Sequence, residues 1–171
     1  ETVLKEFQSN RTTCARAMKG IVEIYKAQRT PEKVEALVAK YPCADFSMDD
    51  QEEVYYNSAI EPYLDSSFQE SIAELNKYLV KFPKGKYVIE LKSYLANCFY
   101  RTNQEESSVT VYKEILEMPT TDFSELAAIR VSKYLYNTSN YQEALPYYLK
   151  LENLSTRPDV LHNTQIGAMR C

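Results

Sequence analysis

The sequence predicts an all-α fold, a solenoid built from antiparallel helix pairs. Three observations carry that expectation. Small and bulky side chains recur at fixed spacing: Ser71, Ser108 and Ala144 lie 37 and 36 residues apart, Leu75, Tyr112 and Tyr148 follow them by four, and Tyr78, Ile115 and Leu151 by seven. Such an i, i+4, i+7 stripe is one face of a helix; its small residue lets a neighbouring helix approach and its large ones fill the groove beside it. Glycine is scarce, 3 in 171 residues, which disfavours a sheet-rich fold with tight hairpins. Finally, helix-stopping clusters separate the stripes at Asp65-Ser66-Ser67, Thr102-Asn103-Gln104 and Thr138-Ser139-Asn140.

The elements follow in order. Val3 to Phe7 reads as the end of a helix, Cys14 to Gln28 as a first helix, and Pro31 to Lys40 as its second, with Pro31 in a tolerated first-turn position. Residues 41–50 have two readings, an ordered connector packed by Phe46 and Met48 or a flexible joint between two sub-solenoids. Asp49 or Asp50 is expected to cap a helix beginning near Gln51. The three polar clusters are expected to end first helices and to supply capping oxygens to second ones. Phe82-Pro83-Lys84-Gly85 and Met118-Pro119-Thr120 end second helices, because proline cannot continue the amide ladder. Ser124 and Asp122 are candidate caps for a helix near Glu125. Among first helices, Leu95-Ala96 with Phe99-Tyr100 corresponds to Val131-Ser132 with Leu135-Tyr136; an offset of 75 residues extends this to Gly20-Ile21 with Ile24-Tyr25, and one of 36 to Gly167-Ala168.

The expected organisation is one solenoid over 1–171: an irregular first unit at 1–45 with a partial preceding helix, repeats at 50–85, 86–120 and 122–156, and at 158–171 the first helix of a truncated repeat. A repeat cannot bury its apolar face alone, so both ends imply neighbours and the chain reads as a fragment of a longer repeat protein.

Composition excludes several functions. Net charge is −4 with acids and bases interspersed, and no basic block offers the footprint of a nucleic-acid binder. No apolar run is long enough to span a membrane. Catalytic, cofactor and metal sites are not expected: His162 is the single histidine and has no motif partner, the glycines are far apart, and Cys14, Cys43, Cys98 and Cys171 form no C-x-x-C pair. Cys14 and Cys98 read as small packing residues. The acids Asp49-Asp50, Glu52-Glu53 and Glu105-Glu106 stand at helix starts, where the helix dipole favours them.

The spacing resembles the tetratricopeptide repeat, a helix–turn–helix unit of about 34 residues. Tyr141 and Ala144 in the phrase Tyr-Gln-Glu-Ala-Leu-Pro-Tyr-Tyr carry the resemblance, as do Phe68, Ser71, Leu75, Tyr78 and Pro83; Glu105 departs from it where an aromatic is usual. The phrase Lys-Tyr-Leu-Val-Lys-Phe-Pro-Lys-Gly-Lys-Tyr at 77–87 is similar to the repeats of bacterial cell-envelope proteins, such as the Tol–Pal coordinator and the lipoprotein of outer-membrane assembly. The resemblance implies a right-handed superhelix, a periplasmic or outer-membrane-associated location with the cytoplasm as alternative, and a concave surface lined by first-helix residues. Carried over, that surface contains Tyr25, Asn57, Asn97, Tyr100, Arg101, Lys133, Tyr136 and Asn137, while Arg130, Lys133 and Asn137 share one helical stripe.

The expected function is a non-enzymatic scaffold that binds a peptide or protein. Aromatics, amides and a few cations would suit an extended peptide with an acidic group; the competing reading makes the same residues solvated helix ends. A structural or oligomerisation spacer within a larger or enzyme-linked protein is the alternative, with self-association through exposed terminal helices. Tyr55, Tyr78, Tyr112, Tyr134 and Tyr148 are expected to pack between helices.

Overall fold

The computed structural model describes Leu4, residues 10–41 and residues 46–171, and among them the chain is all-helical. The helices are α1 (Arg11–Ala27), α2 (Pro31–Lys40), α3 (Met48–Leu64), α4 (Phe68–Lys81), α5 (Val88–Arg101), α6 (Glu105–Leu116), α7 (Asp122–Asn137), α8 (Tyr141–Leu154) and α9 (Pro158–Arg170). Each packs on its neighbours in sequence, and α1 on α3, α3 on α5 and α5 on α7 besides.

One turn is built four times. Arg29, Ser66, Asn103 and Ser139 have φ of 54°, 59°, 59° and 63°, the left-handed region that closes a helix when the next two amides fold back onto its last carbonyls. The amides of these residues donate to Lys26, Tyr63, Tyr100 and Tyr136, and the amides one residue on donate to Tyr25, Pro62, Phe99 and Leu135, over 2.8–3.2 Å. The spacing is 37, 37 and 36 residues. None of the four is glycine, so the conformation is held by this backbone bonding against a steric cost. The side-chain caps expected from the three polar clusters are not made: Ser67, Gln104 and Asn140 cap nothing with their side chains, and in the first unit neither does Thr30. Thr102 and Thr138 instead donate backwards, to Cys98 at 2.8 Å and Tyr134 at 3.0 Å.

That turn corrects the register of the first unit. Seven residues before it stand Val22, Ala59, Ala96 and Ser132, between 0% and 3% exposed, and five residues after it Val34, Ser71, Ser108 and Ala144, between 0% and 2% exposed. The offset from α1 to α5 is thus 74, not 75; Gly20 and Ile24 face outward, and Cys14, Met18 and Val22 face in. Where later units carry Ala or Ser, the first carries valine twice. Small residues let α5 and α6 approach until the Ser108 hydroxyl donates to the Ala96 carbonyl at 2.7 Å; valine holds α1 and α2 further apart.

Two apolar clusters result. Leu4, Cys14, Met18, Val22, Val34, Leu37, Tyr41 and Val54 form the N-terminal one, and a larger one runs from Tyr55 to Val160. Charged groups span the seam: Arg29 meets Glu61 at 2.8 Å and Asp65 at 2.7 Å, Lys81 pairs with Glu35, and the Tyr55 hydroxyl donates to Glu35 at 3.1 Å.

Other expectations shift in detail. The expected helix end at Val3–Phe7 lies outside the described residues except for Leu4, as do Pro42–Asp45 of the connector. Phe46 packs on the N-terminal cluster, but Met48 is 65% exposed and packs nothing. Helix α3 starts at Met48 and is capped by Ser47, with Asp50 closing the box at 2.8 Å to the Ser47 amide. Helix α7 is capped by Thr121, whose amide donates to Ser124 at 3.0 Å. Cys14 is not simply a small packing residue: it is disulfide-bonded. Cys98 is buried and free, and Cys171 exposed and free. Glu52 is no solvated helix-start acid; it is 7% exposed and accepts from the Tyr78 hydroxyl and from the Lys86 amide at 2.7 Å.

Candidate functional site

The stripe Arg130, Lys133 and Asn137 runs along α7, three and four residues apart, so the three side chains leave one face of that helix. Tyr100 ends the adjacent α5. The Arg130 guanidinium lies 4.1 Å from the centre of its ring, a cation–π contact that fixes both side chains. Arg130 Nε is buried without a partner, as is the hydroxyl of Tyr112 beneath; burial raises the Tyr112 pKa, while the Arg130 cation works against the rise. A cavity of about 80 Å³ remains between Tyr100, Lys133 and Asn137. Beyond α7 a second cavity, of about 540 Å³, shares Lys133 and Asn137 and adds Tyr136, Tyr148 and residues of α9. Tyr136 stands edge-on to Tyr141 at 5.2 Å and to Tyr148 at 6.4 Å.

Five residues named from the sequence therefore converge: Tyr100, Arg130, Lys133, Tyr136 and Asn137 line these two cavities. The others lie elsewhere. Tyr25 packs on the N-terminal cluster with the Lys33 ammonium 5.7 Å from its ring centre. Arg101 covers Phe68 of α4 at 5.1 Å. Asn57 and Asn97 are half-buried on α3 and α5 and make no side-chain hydrogen bond among the described residues.

Between α3 and α5 the structure adds a tyrosine band that the sequence reading passed over. Tyr56 stacks on Tyr87 at 4.0 Å and Tyr63 meets Tyr94 at 4.5 Å. The hydroxyls of Tyr56 and Tyr94 both donate to Glu90, at 3.1 and 3.0 Å. Burial, then the Glu90 carboxylate, pushes both phenols up to about 12. A signal was present: Tyr87, Glu90 and Tyr94 repeat the three-and-four spacing of the α7 stripe.

Among the described residues no three His, Cys, Asp or Glu side chains gather where they could hold a metal ion, and none of their helices is long and apolar enough to cross a membrane. His162 is exposed on α9. In comparisons with known proteins, no family model matches the chain and no curated protein matches it.

Proposed function

We propose that the chain is a non-catalytic interaction scaffold of the tetratricopeptide-repeat kind, a right-handed superhelix that holds a peptide or protein along its first helices. The observation that carries this reading is the left-handed turn recurring after 37, 37 and 36 residues. The recurring turn closes each hairpin between its first and second helix in the same way, and hairpins stacked in sequence present their first helices along one extended face. On that face lie the aromatic band of α3 and α5 and the cation–amide stripe of α7, the mixture that recognises an extended peptide.

A bacterial cell envelope is the compartment proposed. Support comes from Cys14, whose disulfide suits an oxidising environment, beside the 77–87 phrase.

Capture of partners by the intact protein tests the reading, compared with a triple variant carrying Tyr100→Ala, Lys133→Ala and Tyr136→Ala. All three side chains are at least partly exposed, so the variant should fold, as circular dichroism can verify. Loss of a specific partner supports the scaffold; unchanged capture removes this face from the function.

A further inference from the structure

We propose that the cavity between α7 and α9 binds an acidic side chain of a peptide partner together with an apolar neighbour. The proposal rests on the scaffold reading and adds where the partner is held and by which chemistry.

The cavity has a structural cause. First helices pack directly in the pairs α1–α3, α3–α5 and α5–α7, whereas α7 and α9 do not pack closely. Arg130, stacked on Tyr100, fills the groove between α5 and α7. The residue 36 positions later is Ile166, too short to cross the wider gap. Tyr112 is fully buried, but its counterpart Tyr148 is only half-buried. The wedge left open measures about 540 Å³, within the range of sites that enclose small ligands.

Its polar groups lack an acceptor. Lys133 and Arg170 both line the cavity, and neither makes an ion pair or hydrogen bond among the described residues. Thr164 is 2% exposed, lines the same wall, and its hydroxyl has no partner. Arg157 at the rim is already committed to Asp159 at 3.3 Å and Glu125 at 3.7 Å. Two uncommitted cations and an orphan hydroxyl lining one cavity call for an oxygen anion, and charge-assisted hydrogen bonds to one are the strong kind. The carboxylate of an Asp or Glu side chain is the oxygen anion that a peptide lying along the first helices brings to such a cavity. Ile129, Leu151 and Ile166 supply the apolar wall, which an aliphatic side chain next to the acid would cover.

The test uses the whole protein, labelled with ¹⁵N, and an acetylated, amidated hexapeptide Ala-Ala-Glu-Leu-Ala-Ala, which has no free terminus. Amide shifts are expected at Lys133, Asn163, Thr164 and Gly167, weakening in about 0.5 M salt. Lys133→Ala and Arg170→Ala, both at exposed positions, should each weaken binding about tenfold, or about 1.4 kcal/mol. Replacing the peptide's Glu by Gln should cost as much, and its Leu by Ser somewhat less. Equal binding of the Glu and Gln peptides overturns the proposal. So do shifts confined to Tyr100 and Arg130, although the scaffold reading then stands. No shift anywhere at millimolar peptide also overturns the cavity assignment and leaves the scaffold reading to the capture experiment.

Discussion

The hydroxyl of Tyr78, at the end of α4, donates to the carboxylate of Glu52, near the start of α3, in the core of the molecule. The same carboxylate oxygen accepts from the Lys86 amide at 2.7 Å. One acid thus ties both ends of a hairpin to the loop that leads into the next. Its loss would strand the buried Tyr78 hydroxyl and the part-buried Lys86 amide, so Glu52→Ala should destabilise the fold by about 3 kcal/mol. Glu52→Gln, which keeps one acceptor oxygen, should cost about 1 kcal/mol. Urea unfolding followed by circular dichroism measures both, and equal costs would contradict the role given to that oxygen.

The three glycines should respond differently to alanine. A Cβ on Gly85 would fall against Glu52 Oε1 and 2.6 Å from the Tyr78 hydroxyl, and one on Gly167 would sit 2.5 Å from the Tyr148 ring. Both substitutions force packed groups apart and should cost about 2 kcal/mol. Gly20 lies inside α1 with nothing within 4 Å of such an atom, so Gly20→Ala should stabilise by about 0.5–1 kcal/mol through helix propensity. Thermal melts of the three variants give the signs directly.

The repeated turn is open to the same kind of test. Ser66 and Ser139 pay for a left-handed backbone, and glycine relieves that strain while freeing the unfolded chain. Ser66→Gly and Ser139→Gly should each stabilise by about 0.5 kcal/mol, and Asn103→Gly by less, because asparagine tolerates the region. Ser66→Val should cost about 2 kcal/mol. A neutral valine variant, measured by urea unfolding, would mean that the turn is not held as described.

The tyrosine band should be visible in an alkaline titration. Tyr56 and Tyr94 ionise near 12 in the fold against an ordinary phenol value of 10.0. The neutral form is the one the fold favours, so the stability they contribute is complete below pH 10 and is lost as pH rises towards 12. Tyrosinate absorbance of the native protein should show a late phase that Tyr56→Phe and Tyr94→Phe each reduce. Glu90→Gln should bring that phase down without abolishing it, because burial is the larger cause.

What was legible in the sequence was the periodic part. Ser71, Leu75, Tyr78, Ser108, Tyr112, Ile115, Ala144 and Leu151 are all buried, because a helix face leaves a stripe that spacing alone reveals. Phe99 shows the limit: it resembles the core by type yet is only partly buried, so Phe99→Ala should cost less than the roughly 3 kcal/mol of a fully buried aromatic. Turns were located but their mechanism was misread, since Ser67 and Asn140 look like caps and the closure is made by backbone amides instead. Glu52 and the disulfide at Cys14 were not legible, because each depends on a contact distant along the chain that no local pattern records. The site was half legible. The α7 stripe follows from helical spacing, but Thr164 and Arg170 matter only through a gap between α7 and α9 that residue types do not disclose.

The charged seam at Arg29 has a consequence for how the molecule comes apart. Apolar side chains of α1 and α2 are gathered in a cluster that reaches α3 through Val54, and the rest of the seam is crossed by the charged contacts of Glu35, Glu61 and Asp65 with their cations. Such contacts are screened by salt, whereas the continuous packing from α3 to α9 is not. Loss of structure should therefore be stepwise: the leading hairpin opens first, exchanges its amide protons sooner, and leaves the Lys133 face undisturbed.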